Sequence, residues 1–307
     1  MQSQSNQSPA VWKPKSLLDR NTLFTVYGRA FNSAPILGHL GTYADMNALA
    51  EDIKPWIEGI RKYHDKKGVI LGIHLIYAMA NPCKSKDDCL LYLEGREKHI
   101  VEDYIQPAAK RGWVVVLDTQ LGKSNPVEQV KRMIDKGYLK YDNVHVAIDP
   151  EFHVYNDNPR PGAPIGTVEA AQINEVQCML DQYVCEQKLA TKKILIVHQF
   201  GDLTVNDGVP FMIQDKRSLK TLENVDLVID MDGLGEKAVK VTKYNKITDS
   251  KVYPFIRFRG IKIFFSNKWE KAGHYDKPPM TLEEIFGLEK LPSGMRMQTK
   301  PNVIIIA

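Results

Sequence analysis

The sequence predicts a single α/β domain of the (β/α)₈-barrel type, and three observations support this. Short apolar, β-branched segments alternate with longer segments of helical period. There are eight such apolar segments, the strand number of a closed parallel barrel. The stretch after the first of them, "GRAFNSAPILGHLG", lacks the glycine spacing of a phosphate-binding loop. An open doubly wound sheet, which usually carries such a loop, is therefore the second choice.

The predicted elements follow one another along residues 21–307, after a polar tail at residues 1–20 that is expected to be disordered or extended. The predicted strands are 23–30, 68–80, 113–120, 143–152, 193–200, 225–233, one within 252–265, and 302–307. The predicted helices are 45–64, 94–111, 125–136, 167–190, 216–224, 236–248 and 281–287. The last 40 residues are rich in loops, so the C-terminal part of the barrel is expected to be irregular.

Helix ends are clearest at two places. Asn125, Pro126 and Glu128 form a cap, a first-turn proline and a capping-box acid, and Gly137 is a typical stop after the same helix. Thr167 is predicted to cap the longest helix.

Charge and apolar patterning exclude two classes of partner. The 41 basic residues are scattered among 37 acidic ones, for a net charge of +4, whereas a nucleic-acid surface needs clustered cations. No apolar run approaches the roughly 18 residues of a membrane helix, so no membrane span is expected. Cys83 and Cys89 flank the polar stretch "KSKDD" and are predicted to form a disulfide. A disulfide favours an extracellular or cell-surface location, although no signal is visible in this chain.

Acidic residues end several predicted strands. In "YDNVHVAIDPEFHV" (141–154), alternation places Asp149 and Glu151 on the inward face, last in their strand. The same parity turns Asp118 inward on the third strand, and Asp230 with Asp232 on the sixth. Barrel active sites assemble at the C-terminal ends of the strands, and unpaired buried carboxylates are costly. The pattern therefore predicts a functional site at this end of the barrel.

Further polar and aromatic side chains are predicted near the same strand ends, as contacts for a substrate. They are Tyr27, Arg29, His74, Tyr77, His198 and Gln199, together with Asp232. The parity is open on two strands: the second offers His74 or Tyr77, and on the fifth either His198 or Gln199 could face inward.

Inward carboxylates with aromatic and histidine neighbours are suited to glycoside hydrolysis. One carboxyl of raised pKa protonates the leaving oxygen, and a second acts as nucleophile, base or electrostatic stabiliser. The hypothesis assigns Glu151 as the acid and Asp149 as its electrostatic partner. Asp118 and Asp230 are the two candidates for the second catalytic role. No cofactor or metal is required by this chemistry, and the expected partner is a carbohydrate.

The stretch "AIDPEF" (147–152) resembles the end of the chitinase-type signature D-x-x-D-x-D-x-E of barrel glycoside hydrolases. The resemblance implies that Glu151 is the proton donor and that Asp149 orients a substrate acetamido group. The two earlier acidic positions of the signature are Val144 and Ala147 in this chain, and Pro150 separates the acidic pair.

Two other functions stay open at this point. A metal-dependent hydrolase would use ligand types that are all present, namely His74, Asp118, Asp149, Glu151, His198 and Asp230. The usual H-x-H, H-x-x-x-H and H-E-x-x-H spacings are missing. A non-catalytic carbohydrate-binding barrel would show the same strand ends, with the connection 198–217 covering them.

Overall fold

The computed structural model describes residues 12–33, 38–64, 68–82, 87–96, 99–154, 161–201, 211–265 and 275–307. Eight parallel strands close into a barrel, as the sequence predicts. The strands are β1 (Asn21–Gly28), β2 (Gly68–Ala80), β3 (Val114–Gly122), β4 (Val144–His153), β5 (Lys193–Gln199), β6 (Val225–Met231), β7 (Phe258–Ile263) and β8 (Val303–Ile306). Each strand pairs with the next, and β8 pairs with β1 to complete the ring.

Helices occupy most of the connections between strands. They are α1 (Met46–Asp52), α2 (Lys54–Tyr63), α3 (Gln106–Lys110), α4 (Pro126–Asp135), α5 (Ala170–Gln187), α6 (Lys237–Ile247) and α7 (Leu282–Ile285). A π-helical turn, Val101–Ile105, leads into α3, and the antiparallel strand Leu90–Tyr92 extends the sheet beyond β2. The short strands Val168–Glu169 and Ile213–Gln214 pair with each other. None of the described helices is long and apolar enough to cross a membrane.

The predicted capping residues are confirmed at one helix and wrong at another. Asn125 and Glu128 form the expected capping box of α4, and Gly137 has a φ of 73° just after the helix ends. Helix α5 begins three residues later than predicted, and its cap is Glu169, paired with Gln172 in a capping box, rather than Thr167.

Three predicted helices differ from the structure. Residues 45–64 form two helices because Pro55, at the start of α2, lacks the N–H that would continue α1. The predicted helix 94–111 is replaced by three shorter pieces. They are the 3₁₀ helix Leu93–Arg96, the π-helical turn Val101–Ile105 and α3.

The helix predicted at 216–224 was wrong. A 3₁₀ turn at Lys216–Ser218 leads there into extended backbone at Leu219. The Lys216 Nζ donates to Gln199 Oε1 and to the Ile247 carbonyl, both at 2.6 Å, so tertiary contacts fix this segment in a non-helical form.

Two apolar cores lie on either side of the barrel wall. Val115, Val146 and Ile229 belong to the core between the strands and the helices. Val116, Ala147 and Val228 belong to the core inside the barrel, which confirms the alternation predicted for β3, β4 and β6.

The segment before β1 contributes to the inner core. Leu18 is fully buried there, and Lys15 forms an isolated parallel bridge with Thr191. Trp12 Nε1 donates to the Leu189 carbonyl at 3.2 Å. Residues 12–20, predicted as part of a disordered or extended tail, therefore contact the N-terminal end of the barrel, with a bend and turn at residues 17–20.

Candidate functional site

A buried histidine stands at the centre of the polar interior. His198 Nε2 lies 3.1 Å from Asp118 Oδ2, and its Nδ1 lies 2.9 Å from Asp230 Oδ2 and 3.3 Å from Asp232 Oδ2. Because carboxylates accept hydrogen bonds, both ring nitrogens act as donors, which requires the imidazolium form. Burial lowers the pKa of His198, but Asp232 and Asp118 outweigh burial and hold that pKa well above its usual value.

Asp118 connects this histidine to a second one. His74 Nε2 lies 3.0 Å from the same Asp118 oxygen, and all three side chains are fully buried. Burial raises the pKa of Asp118, but the charge and hydrogen bond of His198, with the hydrogen bond of His74, hold the net pKa well below its ordinary value. His74 has a lowered pKa, with burial as the largest cause, and is therefore the neutral donor of the pair.

Three carboxyl groups lie closer to the barrel mouth. Asp149 is 2% exposed, Asp232 is 7% exposed, and Glu151 is partly exposed. The Glu151 backbone N–H donates to Asp149 Oδ1 at 3.2 Å. Burial, and then the charge of Asp232, raise the pKa of Glu151 to about 7. Burial also raises the pKa of Asp149 well above its usual value. At neutral pH, Glu151 is thus about half protonated.

The structure adds one cation that the sequence analysis did not select. Lys262 Nζ lies 3.1 Å from Asp232 Oδ2 and 3.6 Å from the centroid of the Tyr27 ring. Parity along β7 carried the signal, because Phe258, Gly260 and Lys262 share the inward face.

Of the other predicted substrate contacts, Tyr27 lies near the charged residues and Arg29 binds backbone carbonyls. Tyr27 lies inside the barrel, with its ring centroid 5.1 Å from that of His74. Arg29 is buried and donates to the Ile76 and Leu91 carbonyls, so its described contacts are with backbone rather than with the carboxyl groups.

Two predicted substrate contacts were wrong in their placement. Tyr77 faces the outer core, where its hydroxyl accepts from Arg132 Nε at 3.0 Å, because alternation along β2 puts it on the face opposite to His74 and Ile76. Gln199 takes the opposite parity to His198 and binds Lys216 Nζ outside the barrel.

The predicted disulfide lies partly beyond the described residues. Cys89 is buried, and its Sγ lies 3.6 Å from the Asp87 carbonyl oxygen. Cys83 is not among the described residues, so the Cys83–Cys89 bridge stays a prediction.

Two overlapping sets of side chains have the ligand types and proximity of a metal site. One is His74, Asp118 and His198, and the other is His198, Asp230 and Asp232, each with ligand atoms within 4.8 Å of one another. A metal on His74 Nε2 would place the ring proton on Nδ1, which has no acceptor among the described residues. In the second set, the Lys262 ammonium beside Asp232 opposes the binding of another cation. The first set is thus better explained as a hydrogen-bonded network.

The raised pKa of Glu151 predicts a pH-dependent effect on stability. Between the usual pKa of 4.5 and about 7, the native state binds more protons than the unfolded state, so the wild-type free energy of unfolding falls as pH rises. Glu151→Gln removes this loss. We expect the variant to gain about 1–3 kcal/mol on the wild type between pH 4.5 and 8, allowing for partial exposure. Urea unfolding at both pH values measures it.

The control for this measurement is Glu175→Gln, which changes an exposed glutamate on α5. It should follow the wild type at both pH values. A constant difference between wild type and Glu151→Gln across this range would contradict the raised pKa.

Fold and site together define the chain as a (β/α)₈-barrel protein with a charged centre built from the ends of β2 to β7. No protein-family model matches the sequence, and no curated protein is recognisably similar to it. The functional conclusion therefore depends on the geometry of the site alone.

Proposed function

We propose that this protein is a glycoside hydrolase in which Glu151 is the general acid and Asp232 is the second carboxylate. The supporting observation is the arrangement at the barrel mouth. The partly exposed Glu151 has a pKa of about 7, and it lies near Asp232, whose carboxylate contacts the cations His198 and Lys262. A group of this pKa can deliver a proton at neutral pH.

The assignment of the second carboxylate differs from the sequence-based hypothesis. Asp118 and Asp230 are fully buried and bound to His198, whereas Asp232 lies nearer the surface. Asp118 and Asp230 then fix the histidine, and the histidine with Lys262 fixes Asp232. Asp149, buried beside Glu151, keeps the role that the chitinase resemblance implies, hydrogen bonding to a substrate.

In this proposal, hydrolysis takes place in two coupled parts. Glu151 protonates the glycosidic oxygen as the bond to the anomeric carbon breaks. In one route the Asp232 carboxylate attacks the anomeric carbon, and water then displaces it while the ionised Glu151 takes the proton of that water. In the other route Asp232 accepts a proton from water, which attacks the anomeric carbon directly. The outcome at the anomeric carbon distinguishes these two routes.

The direct experiment is a screen of oligosaccharides, including N-acetylated chitin fragments, with reducing-end release as the readout. Proton NMR of the first product gives its anomeric configuration, so retention or inversion is assigned in the same experiment. Hydrolysis of at least one glycan is the expected result. Binding on a glycan array without any hydrolysis would replace the enzyme with a carbohydrate-binding barrel.

A metal-dependent hydrolase remains the second candidate because of the two ligand sets around His198. Elemental analysis of the purified protein, with activity before and after chelation, separates the two. Bound metal, with loss of activity on chelation and recovery on adding Zn²⁺, would favour the metal hydrolase. Unchanged activity in chelator supports the two-carboxylate mechanism.

A further inference from the structure

Lys262 is a buried cation whose position is fixed from several sides. Its ammonium contacts the Asp232 carboxylate at 3.1 Å and lies over the Tyr27 ring, 3.6 Å from the centroid. Both contacts favour the charged form and limit the directions in which the long side chain can move. An ammonium held in this way is a fixed feature of the site.

The backbone around Lys262 is also held. Lys240 Nζ donates to the Lys262 carbonyl at 2.7 Å and to Asp276 Oδ2 at 2.6 Å. The same Asp276 oxygen accepts the Phe264 N–H at 3.0 Å. A buried ion pair therefore anchors the C-terminal end of β7, from which Lys262 extends.

Gly260, two residues earlier on the inward face, provides space for the neighbouring acid. A Cβ at this position would come within 2.4 Å of Asp230 Oδ1. The absence of a side chain at Gly260 leaves room for the Asp230 carboxyl inside the barrel. Strand β7 thus combines a glycine that admits one carboxylate and a lysine that binds the next.

His198 alone is poorly placed to hold Asp232. Its Nδ1 is closer to Asp230 Oδ2, at 2.9 Å, than to Asp232 Oδ2, at 3.3 Å. Lys262 is therefore the nearer described cation to the Asp232 oxygen. The acids whose charges act on Lys262 include Asp232, Asp149, Asp118 and Asp230, and Lys262 in turn acts on Glu151 and His74.

We propose that Lys262 is the positioning residue of the site, which holds the Asp232 carboxylate in its working orientation near Glu151. This inference rests on the proposed function for its kinetic consequence, but the orientation itself does not require a known substrate. Lys262 acts through Asp232 and is not assigned a contact with the reacting atoms.

The test compares Lys262→Met with Lys193→Met, in the full chain. Lys193 is a matched control, since it is a buried lysine at the other end of the barrel, where Nζ donates to the Tyr141 and Val144 carbonyls. We expect Lys262→Met to lower kcat about 10²–10³-fold, as loss of a fixed electrostatic partner does in other sites. Lys262→Arg should recover part of this loss, and Lys193→Met should retain wild-type kcat in the fraction that folds.

The pH profile provides a readout that a purely structural role would not change. Lys262 lowers the pKa of Glu151, so its removal should move the alkaline limb, which requires protonated Glu151, to higher pH. Lys193→Met should leave the limb in place. Wild-type kcat and an unmoved limb in folded Lys262→Met would overturn the proposal.

A measurement without substrate separates this inference from the proposed function. Carbon-13 NMR of the Glu151 side-chain carboxyl gives its pKa in wild type, Lys262→Met and Lys193→Met. A rise in Lys262→Met alone supports the positioning of Lys262, even if no glycan is hydrolysed. An unchanged Glu151 pKa in Lys262→Met overturns it, whatever the wild-type activity.

Discussion

Replacement of Glu151 by Gln is expected to reduce glycan turnover by roughly 10³-fold or more, which corresponds to about 4 kcal/mol of transition-state stabilisation. Gln has nearly the same shape but no proton of suitable acidity to give to the leaving oxygen. Because Glu151 is partly exposed at the mouth, we expect the variant to fold and to bind ligand as the wild type does. The measurements are kcat on the best substrate of the screen and Kd by calorimetry.

Leaving-group acidity provides a sharper version of the same test. An aryl glycoside with an acidic phenol leaves without protonation, so Glu151→Gln should lose much less of its rate on that substrate. Glu175→Gln on the surface of α5 should match the wild type on both substrates. Equal losses on the two substrates would show that Glu151 is not the acid.

Replacement of Asp118 by Ala is expected to lower the free energy of unfolding by roughly 3–5 kcal/mol, because it removes one partner of a fully buried charge pair. His198 would keep Asp230 and Asp232 but lose the acceptor of its Nε2 proton, and His74 would lose its described partner. The measurement is guanidinium unfolding at pH 7.

The sign of the pH dependence supports this prediction. The Asp118 pKa is depressed in the native state, so its stabilisation is present above the usual value near 4 and is lost as pH falls below it. The difference between wild type and Asp118→Ala should therefore shrink in acid. Asp135→Asn, which breaks an exposed ion pair on α4, should cost less than about 1 kcal/mol. A comparable cost for both variants at pH 7 would mean that the His198 network contributes little to stability.

Local sequence predicted the strands better than the connections. Alternation along β3, β4 and β6 assigned Val115, Val116 and Val228 to the correct side of the wall, since strand side chains point to opposite faces whatever surrounds them. The helix expected at 216–224 failed because Lys216 binds Gln199 and the Ile247 carbonyl, which lie far away in the chain. Tyr77 was misplaced because it and His74 have opposite parity on β2, and the sequence did not show which of the two faces inward.

The sequence by itself determined the barrel, its strand order and the inward direction of Asp118, Asp149 and Asp230, because period-two alternation and closure of parallel strands are properties of the backbone. Only the tertiary structure decided how the charges pair. Distances between side chains from different strands depend on register and on close packing, as where Gly260 admits the Asp230 carboxyl. Those distances make His198 a cation, keep Asp118 ionised and raise the pKa of Glu151, and no single strand contains them.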